Sequence, residues 1–213
     1  MAMKLSAKEV MRDAPVIPVI VLNDVSQAVP LARALVAGGI HMLEVTLRTP
    51  VAMSCIEAIA REVPDAVAGA GTVRNAKDAE AAVKAGARFI VSPGYASPLG
   101  RACKELGVAL LPGVATGSEI MAAMDDGYTE MKFFPAVQAG GVPMLKSWHG
   151  PFFDATFCPT GGVTAANARD FLCLPNVACV GGTWIVPADA IEKGDWARVT
   201  RLAKEARELS CLK

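Results

Sequence analysis

Residues 109–136 read "ALLPGVATGSEIMAAMDDGYTEMKFFPA", and the fold depends on how this stretch is parsed. "ALLPGVA" and "MKFFPA" are apolar runs of strand length. Between them "SEIMAAMDDG" spaces its apolar residues three and four apart, as on one face of a helix, and ends at Gly127. Glycine is the favoured residue just past a helix C-terminus, because it takes the left-handed backbone without a Cβ penalty. The stretch is therefore strand, helix, cap, strand.

The same unit recurs on both sides. Apolar runs begin near Val16, Met42, Ala66, Phe89, Ala109, Met131, Thr156 and Ala178, at a spacing of roughly 23 residues. "VIPVIVL" and "FIVSPG" are apolar on both faces, as strands covered on both sides must be. "QAVPLARALVAGG", "AKDAEAAVKAGA" and "SPLGRACKELG" supply further helices, ending near Gly39, Gly86 and Gly107. Eight strand-helix units without a block of antiparallel signals predict an α/β fold, a closed parallel (β/α)8 TIM barrel forming a single domain over residues 1–213. The alternative, an open doubly wound sheet, calls for G-x-G-x-x-G after the first strand, where "VLNDVSQ" stands instead.

Composition narrows the partners. The 213 residues carry 21 Lys+Arg and 21 Asp+Glu, for zero net charge. There is no polybasic patch, which argues against nucleic acid or an acidic membrane surface. The uncharged run at 171–188, "FLCLPNVACVGGTWIVPA", reaches the length of a membrane span but is interrupted by Pro175, Asn176, Gly181, Gly182 and Pro187. It reads as loop, buried strand and loop, so no membrane partner is expected. The N-terminus carries Glu9 and Asp13 and no signal-type apolar region, so a cytoplasmic location is expected. The cysteines at 55, 103, 158, 173, 179 and 211 show no C-x-x-C or metal-ligand spacing and read as reduced thiols. His41 stands three residues before Glu44, on the opposite face of a strand, so the two make no metal site. Neither a metal nor a cofactor is expected.

In such a barrel the active site lies at the C-terminal ends of the strands. "LEVTLRTP" supplies Glu44 and, four residues on, Arg48 on the same face of an extended chain; "GAGTV" supplies Thr72 and "SPG" supplies Pro93. "EMKFFPA" places Lys132 inside an otherwise buried run, where an unpaired ammonium is costly. A partly desolvated lysine near Glu44 and Arg48 has two readings: a nucleophilic amine whose lowered pKa lets it attack a ketone, or a structural cation that snorkels or pairs with Glu44. Strands seven and eight end in "CPTGGVTAAN" and "VGGTW", with Thr160 and Thr183 beside glycine pairs. Glycines allow backbone N–H groups to approach an anion, and a helix starting near Thr164 would direct its positive end there, so a phosphate site is predicted.

Together "ALVAGGI", "LEVTLRTP", "GAGTV", "SPG", "LLPGVAT", "KFFPA", "FCPTGGV", "GGTW" and "PADAIEKGDW", in this order, resemble the 2-keto-3-deoxy-6-phosphogluconate (KDPG/KHG) aldolases, a family of class I aldolases, over nearly the whole chain. The resemblance implies Lys132 as the Schiff-base lysine and Glu44 as the acid/base. It implies Arg48 and Thr72 as ligands of the pyruvate carboxylate, and Pro93 and Phe134 as lining of the substrate pocket. Thr160, Gly161, Gly162 and Thr183 fall at the phosphate end. The implied enzyme is an aldehyde-lyase that reversibly cleaves 2-keto-3-deoxy-6-phosphogluconate, a phosphorylated keto sugar acid, to pyruvate and D-glyceraldehyde 3-phosphate, as a homotrimer. Alternatives on the same residues are a 4-hydroxy-2-oxoglutarate aldolase, an oxaloacetate decarboxylase using the same imine, or a non-catalytic phosphate-binding scaffold. Two positions depart from the family pattern: Thr183 where serine is often found, and Val137 in place of the glutamate that often follows "FFPA".

Overall fold

The computed structural model describes residues 5–209, and within them the apolar runs become short parallel strands separated by helices. β1 (Val16–Ile20) and β2 (Met42–Thr46) are buried at every position. Alternation decides which side each residue serves: Ile17 and Met42 join a small inner cluster, whereas Val16, Ile20, Leu43 and Val45 join the larger cluster beneath the helices.

β3 (Val67–Gly71), β4 (Phe89–Val91) and β5 (Ala109–Leu111) extend one edge beyond β2, and β9 (Val180–Gly182) pairs with β1. The six-stranded sheet thus runs β5-β4-β3-β2-β1-β9. A second sheet orders β6 (Gly113–Val114), β7 (Glu130–Phe133) and β8 (Thr156–Pro159). Every ladder is parallel. Pro112 alone separates β5 from β6, and its carbonyl accepts the Lys132 amide at 2.8 Å. On the other side, parallel bridges Phe157–Val177 and Thr160–Gly181 connect the two sheets. The result is an α/β fold of parallel strands in curled sheets.

Helices follow the strands: α2 (Ala28–Ala37), α4 (Ala76–Lys84), α5 (Ser97–Leu106) and α6 (Gly117–Asp125) where the periodicity predicts them, and in addition α3 (Ala52–Glu62), α7 (Gly141–Trp148), α8 (Ala168–Leu172), α9 (Ala188–Lys193) and α10 (Trp196–Arg207). Gly39, Gly86, Gly107 and Gly127 all take the left-handed backbone expected of caps. No helix among the described residues is long and apolar enough to cross a membrane.

A further helix, α1 (Ala7–Arg12), precedes β1. Ser6 and Glu9 form a reciprocal capping box that starts it. Its Val10 and Met11 pack in the inner cluster with Ile17, Met42 and Phe89, near the N-terminal ends of β1, β2 and β4. Burying such side chains contributes about 1.5–3 kcal/mol each. Val10→Asp would place an unpaired charge there and release the helix. The cavity lined by Glu44 and Lys132 opens at the opposite, C-terminal ends of the strands.

Cys55, Cys103, Cys158 and Cys179 are free and buried. Burial pushes the Cys103 thiol up to about 11, so it stays protonated and unreactive. Cys173 is disulfide-bonded, which departs from the expectation of six reduced thiols. Sequence spacing carries no information on a pairing made in space. Cys211 lies outside the described residues.

Candidate active site

β2 presents Glu44 and Thr46 at alternate positions, with Arg48 just past the strand end, and all three line one cavity of about 450 Å³. Lys132 reaches it from β7, where its neighbours Met131 and Phe133 face the outer core instead. The Lys132 ammonium donates to Glu44 Oε1 at 3.1 Å, with the two residues only 6% and 3% exposed. The Phe134 ring lies 5.3 Å from Lys132 Nζ, within the range of a cation–π contact.

The opposing strand makes room for this pair. A Cβ on Gly71 of β3 would stand 2.3 Å from Glu44 Oε1, so only glycine leaves the carboxylate its place. The next residue, Thr72, has φ 61, an uncommon conformation for a β-branched side chain that costs on the order of 1–3 kcal/mol. Such strain persists where surrounding structure fixes it, and here it sets Thr72 on the cavity wall. Pro93 approaches β6 equally closely, since a Cβ on Gly113 would meet the Pro93 carbonyl oxygen at 2.5 Å. The loop that follows Pro93 is held by Tyr95 and Ser97, whose hydroxyls donate to the Asp126 carboxylate. Burial, reinforced by that bond, pushes the Tyr95 phenol up to about 12.

At the far end the loop after β8 carries Thr160, Gly161 and Gly162, and the loop after β9 carries Thr183. Backbone bonds from Ala136 to Thr160 and from Val137 to Gly161 tie this wall to the loop after β7. Val137 is 43% exposed and lies so near Gly162 that a Cβ there would meet it at 2.7 Å. The helix expected to begin near Thr164 begins at Ala168 and spans 5 residues. Asn167 accounts for the difference: its side chain accepts the Thr164 N–H at 2.8 Å and donates to the Gly162 carbonyl at 3.1 Å, holding 164–167 as a turn. Donors at this end are therefore hydroxyls and loop amides, not the dipole of a long helix.

Every site residue predicted from sequence lines this one cavity: Lys132, Glu44, Arg48, Thr72 and Pro93, together with Phe134, Thr160, Gly161, Gly162 and Thr183. Val19, Val163 and Thr46 also line it and were not predicted. For Thr46 the signal was present, because it falls midway between Glu44 and Arg48 in the same period-two row. His41 is elsewhere, its ring 3.0 Å from Asp13.

Chemically, transfer of a proton from Lys132 to Glu44 would leave a neutral amine beside a neutral acid, the forms required of a nucleophile and a proton donor. A lysine-carboxylate pair in a cavity at the C-terminal ends of parallel strands fits the class of imine-forming lyases. Comparison with known proteins narrows this class. The family model for KDPG and KHG aldolases matches residues 7–202. A 2-dehydro-3-deoxy-phosphogluconate aldolase of Pseudoalteromonas atlantica is 54% identical over 203 residues, 95% of this chain and 94% of that protein. A KHG/KDPG aldolase of Escherichia coli is 52% identical over 96% of each chain. The crystal structure of a Legionella pneumophila KDPG aldolase, with pyruvate captured as a covalent carbinolamine, superposes with a TM-score of 0.94 at 49% identity, covering 96% of this chain and 100% of that one. The Zymomonas mobilis enzyme with 3-phosphoglycerate gives 0.92 at 49% identity, covering 97% of each. The chain belongs to the KDPG and KHG aldolase family.

Proposed function

We propose that this chain is a class I aldolase, an aldehyde-lyase that reversibly cleaves 2-keto-3-deoxy-6-phosphogluconate to pyruvate and D-glyceraldehyde 3-phosphate. The observation that carries the reading is the buried contact of Lys132 with Glu44 on the wall of the cavity. Lys132 attacks the C2 ketone as a neutral amine, and Glu44 supplies the proton with which the carbinolamine loses water. The protonated imine then draws electrons from the C3–C4 bond while Glu44 removes the C4 hydroxyl proton. Glyceraldehyde 3-phosphate leaves, the enamine is protonated at C3, and hydrolysis frees pyruvate and Lys132.

Arg48 and Thr72 hold the carboxylate, Pro93 and Phe134 enclose the carbon chain, and Thr160, Gly161, Gly162 and Thr183 receive the phosphate. The pyruvate carbinolamine of the Legionella protein and the 3-phosphoglycerate of the Zymomonas protein fit the two ends of this assignment. The same reading extends to architecture. With Pro112 as the sole break between β5 and β6, and parallel bridges between the β8 and β9 segments, we take the two sheets as one closed (β/α)8 barrel in a single domain of residues 1–213. Family resemblance supports a cytoplasmic homotrimer.

The test is product identity. The purified chain is supplied with 2-keto-3-deoxy-6-phosphogluconate, and pyruvate and glyceraldehyde 3-phosphate are assayed by separate coupled reactions. Release of the two in equal amounts is expected, and release of neither overturns the assignment. Sedimentation equilibrium should return three times the chain mass.

A further inference from the structure

Thr46 is 2% exposed and lies on the cavity wall between Glu44 and Arg48. Its hydroxyl proton is committed to the Ile20 carbonyl on the neighbouring strand, at 2.8 Å. A threonine hydroxyl has one proton and two lone pairs, so this bond fixes where the lone pairs point. Arg48 Nε donates to that oxygen at 3.1 Å. A guanidinium is planar and rigid, so anchoring its Nε–H sets the plane and leaves the edge formed by the two terminal nitrogens to meet a ligand. Among the described residues no carboxylate forms an ion pair with Arg48. The side chain is long and lies at the surface end of the cavity, where an unanchored arginine would sample many rotamers.

We propose that Thr46 is a positioning residue: by anchoring Arg48 to the end of β1 it presents a preset two-nitrogen edge to the substrate carboxylate, and so selects 2-oxo acids over neutral ketones. This inference rests on the reading of Arg48 as the carboxylate ligand. It adds a requirement that the ligand set alone does not contain. The anchoring oxygen must have its own proton engaged elsewhere, and the pairing of β1 with β2 supplies that acceptor. Serine keeps the hydroxyl, whereas valine keeps the branched shape that suits a strand and removes the anchor.

The experiment compares pyruvate with hydroxyacetone, a neutral ketone of similar size, as partners of Lys132 in borohydride trapping, together with steady-state kinetics on the phosphorylated substrate. For Thr46→Val the concentration of pyruvate needed for half-maximal trapping should rise about tenfold, and KM should rise more than kcat falls. Hydroxyacetone trapping should stay within about threefold, because no carboxylate is involved. Thr46→Ser should restore the parent preference, and Thr46→Val added to Arg48→Gln should cost little beyond Arg48→Gln alone, since both remove one arrangement. The ratio of the two ketones is read within one protein, so loss of folded material cancels. Equal losses on both ketones, or a Thr46→Val protein that distinguishes them as the parent does, overturn the inference while leaving the aldolase reading intact. A parent protein that traps neither ketone overturns both.

Discussion

Lys132 Nζ and Glu44 Oε1 lie 3.1 Å apart although their residues are separated by 88 positions in the chain. Their side chains are only 8% and 4% exposed. A pair so far from water is a weak source of stability, because desolvation offsets the attraction. On the reading proposed for Lys132 as the amine nucleophile, the contact serves proton exchange, and a substrate entering the cavity meets both groups.

Glu44→Gln keeps the shape and a hydrogen-bond acceptor but removes the proton carrier. We expect kcat to fall by about 10²- to 10⁴-fold with substrate still bound. The check is steady-state kinetics alongside equilibrium binding of pyruvate. Activity within about threefold of the parent would assign the proton transfers to another group or to water.

Gly71→Ala tests the space that holds the carboxylate. A Cβ there would stand 2.3 Å from Glu44 Oε1, so the acid must move, and displacements of this kind cost on the order of 10²-fold in rate. Gly150→Ala, with nothing within 4 Å of the new Cβ, should match the parent. Kinetics on both, with circular dichroism to verify the fold, would expose a tolerant Gly71→Ala and so a carboxylate whose position does not matter.

Much of this site is legible in the sequence, for reasons of local chemistry. Lys132 announced itself as a charge inside an apolar run, and Glu44 and Arg48 as polar residues at even spacing beside a strand end. What stayed hidden was made by contacts across strands or by side chains competing with the backbone. Thr46 acquires its role only when β1 brings the Ile20 carbonyl to it. The helix after Gly162 starts late because Asn167 takes the Thr164 amide, a bond that hydrophobic periodicity does not register. The packing of α1 against the inner cluster likewise depends on where the strands begin in space.

Thr183→Val should separate the phosphorylated substrate from 4-hydroxy-2-oxoglutarate. Losing a hydroxyl bonded to an anion costs roughly 1.5 to 3 kcal/mol, so kcat/KM for the phosphorylated substrate should drop about ten- to a hundredfold. The unphosphorylated analogue should hardly change. Measuring both substrates on both proteins removes any general damage, and equal losses would reduce the glycine pairs to turns.

Incubation with EDTA should leave turnover unchanged, because the protonated imine accepts the electrons that a class II aldolase passes to a metal ion. An assay before and after dialysis against chelator decides this. Inhibition reversed by a divalent ion would contradict an imine mechanism.

Covalent trapping asks whether Lys132 forms the imine. The protein is incubated with pyruvate, reduced with borohydride, digested, and the modified peptide located by mass spectrometry. One reduced pyruvyl adduct is expected, on Lys132, and none in Lys132→Arg, whose guanidinium keeps the charge but cannot serve as the amine. An adduct on Lys84 or Lys146, or no adduct in the parent protein, would contradict it.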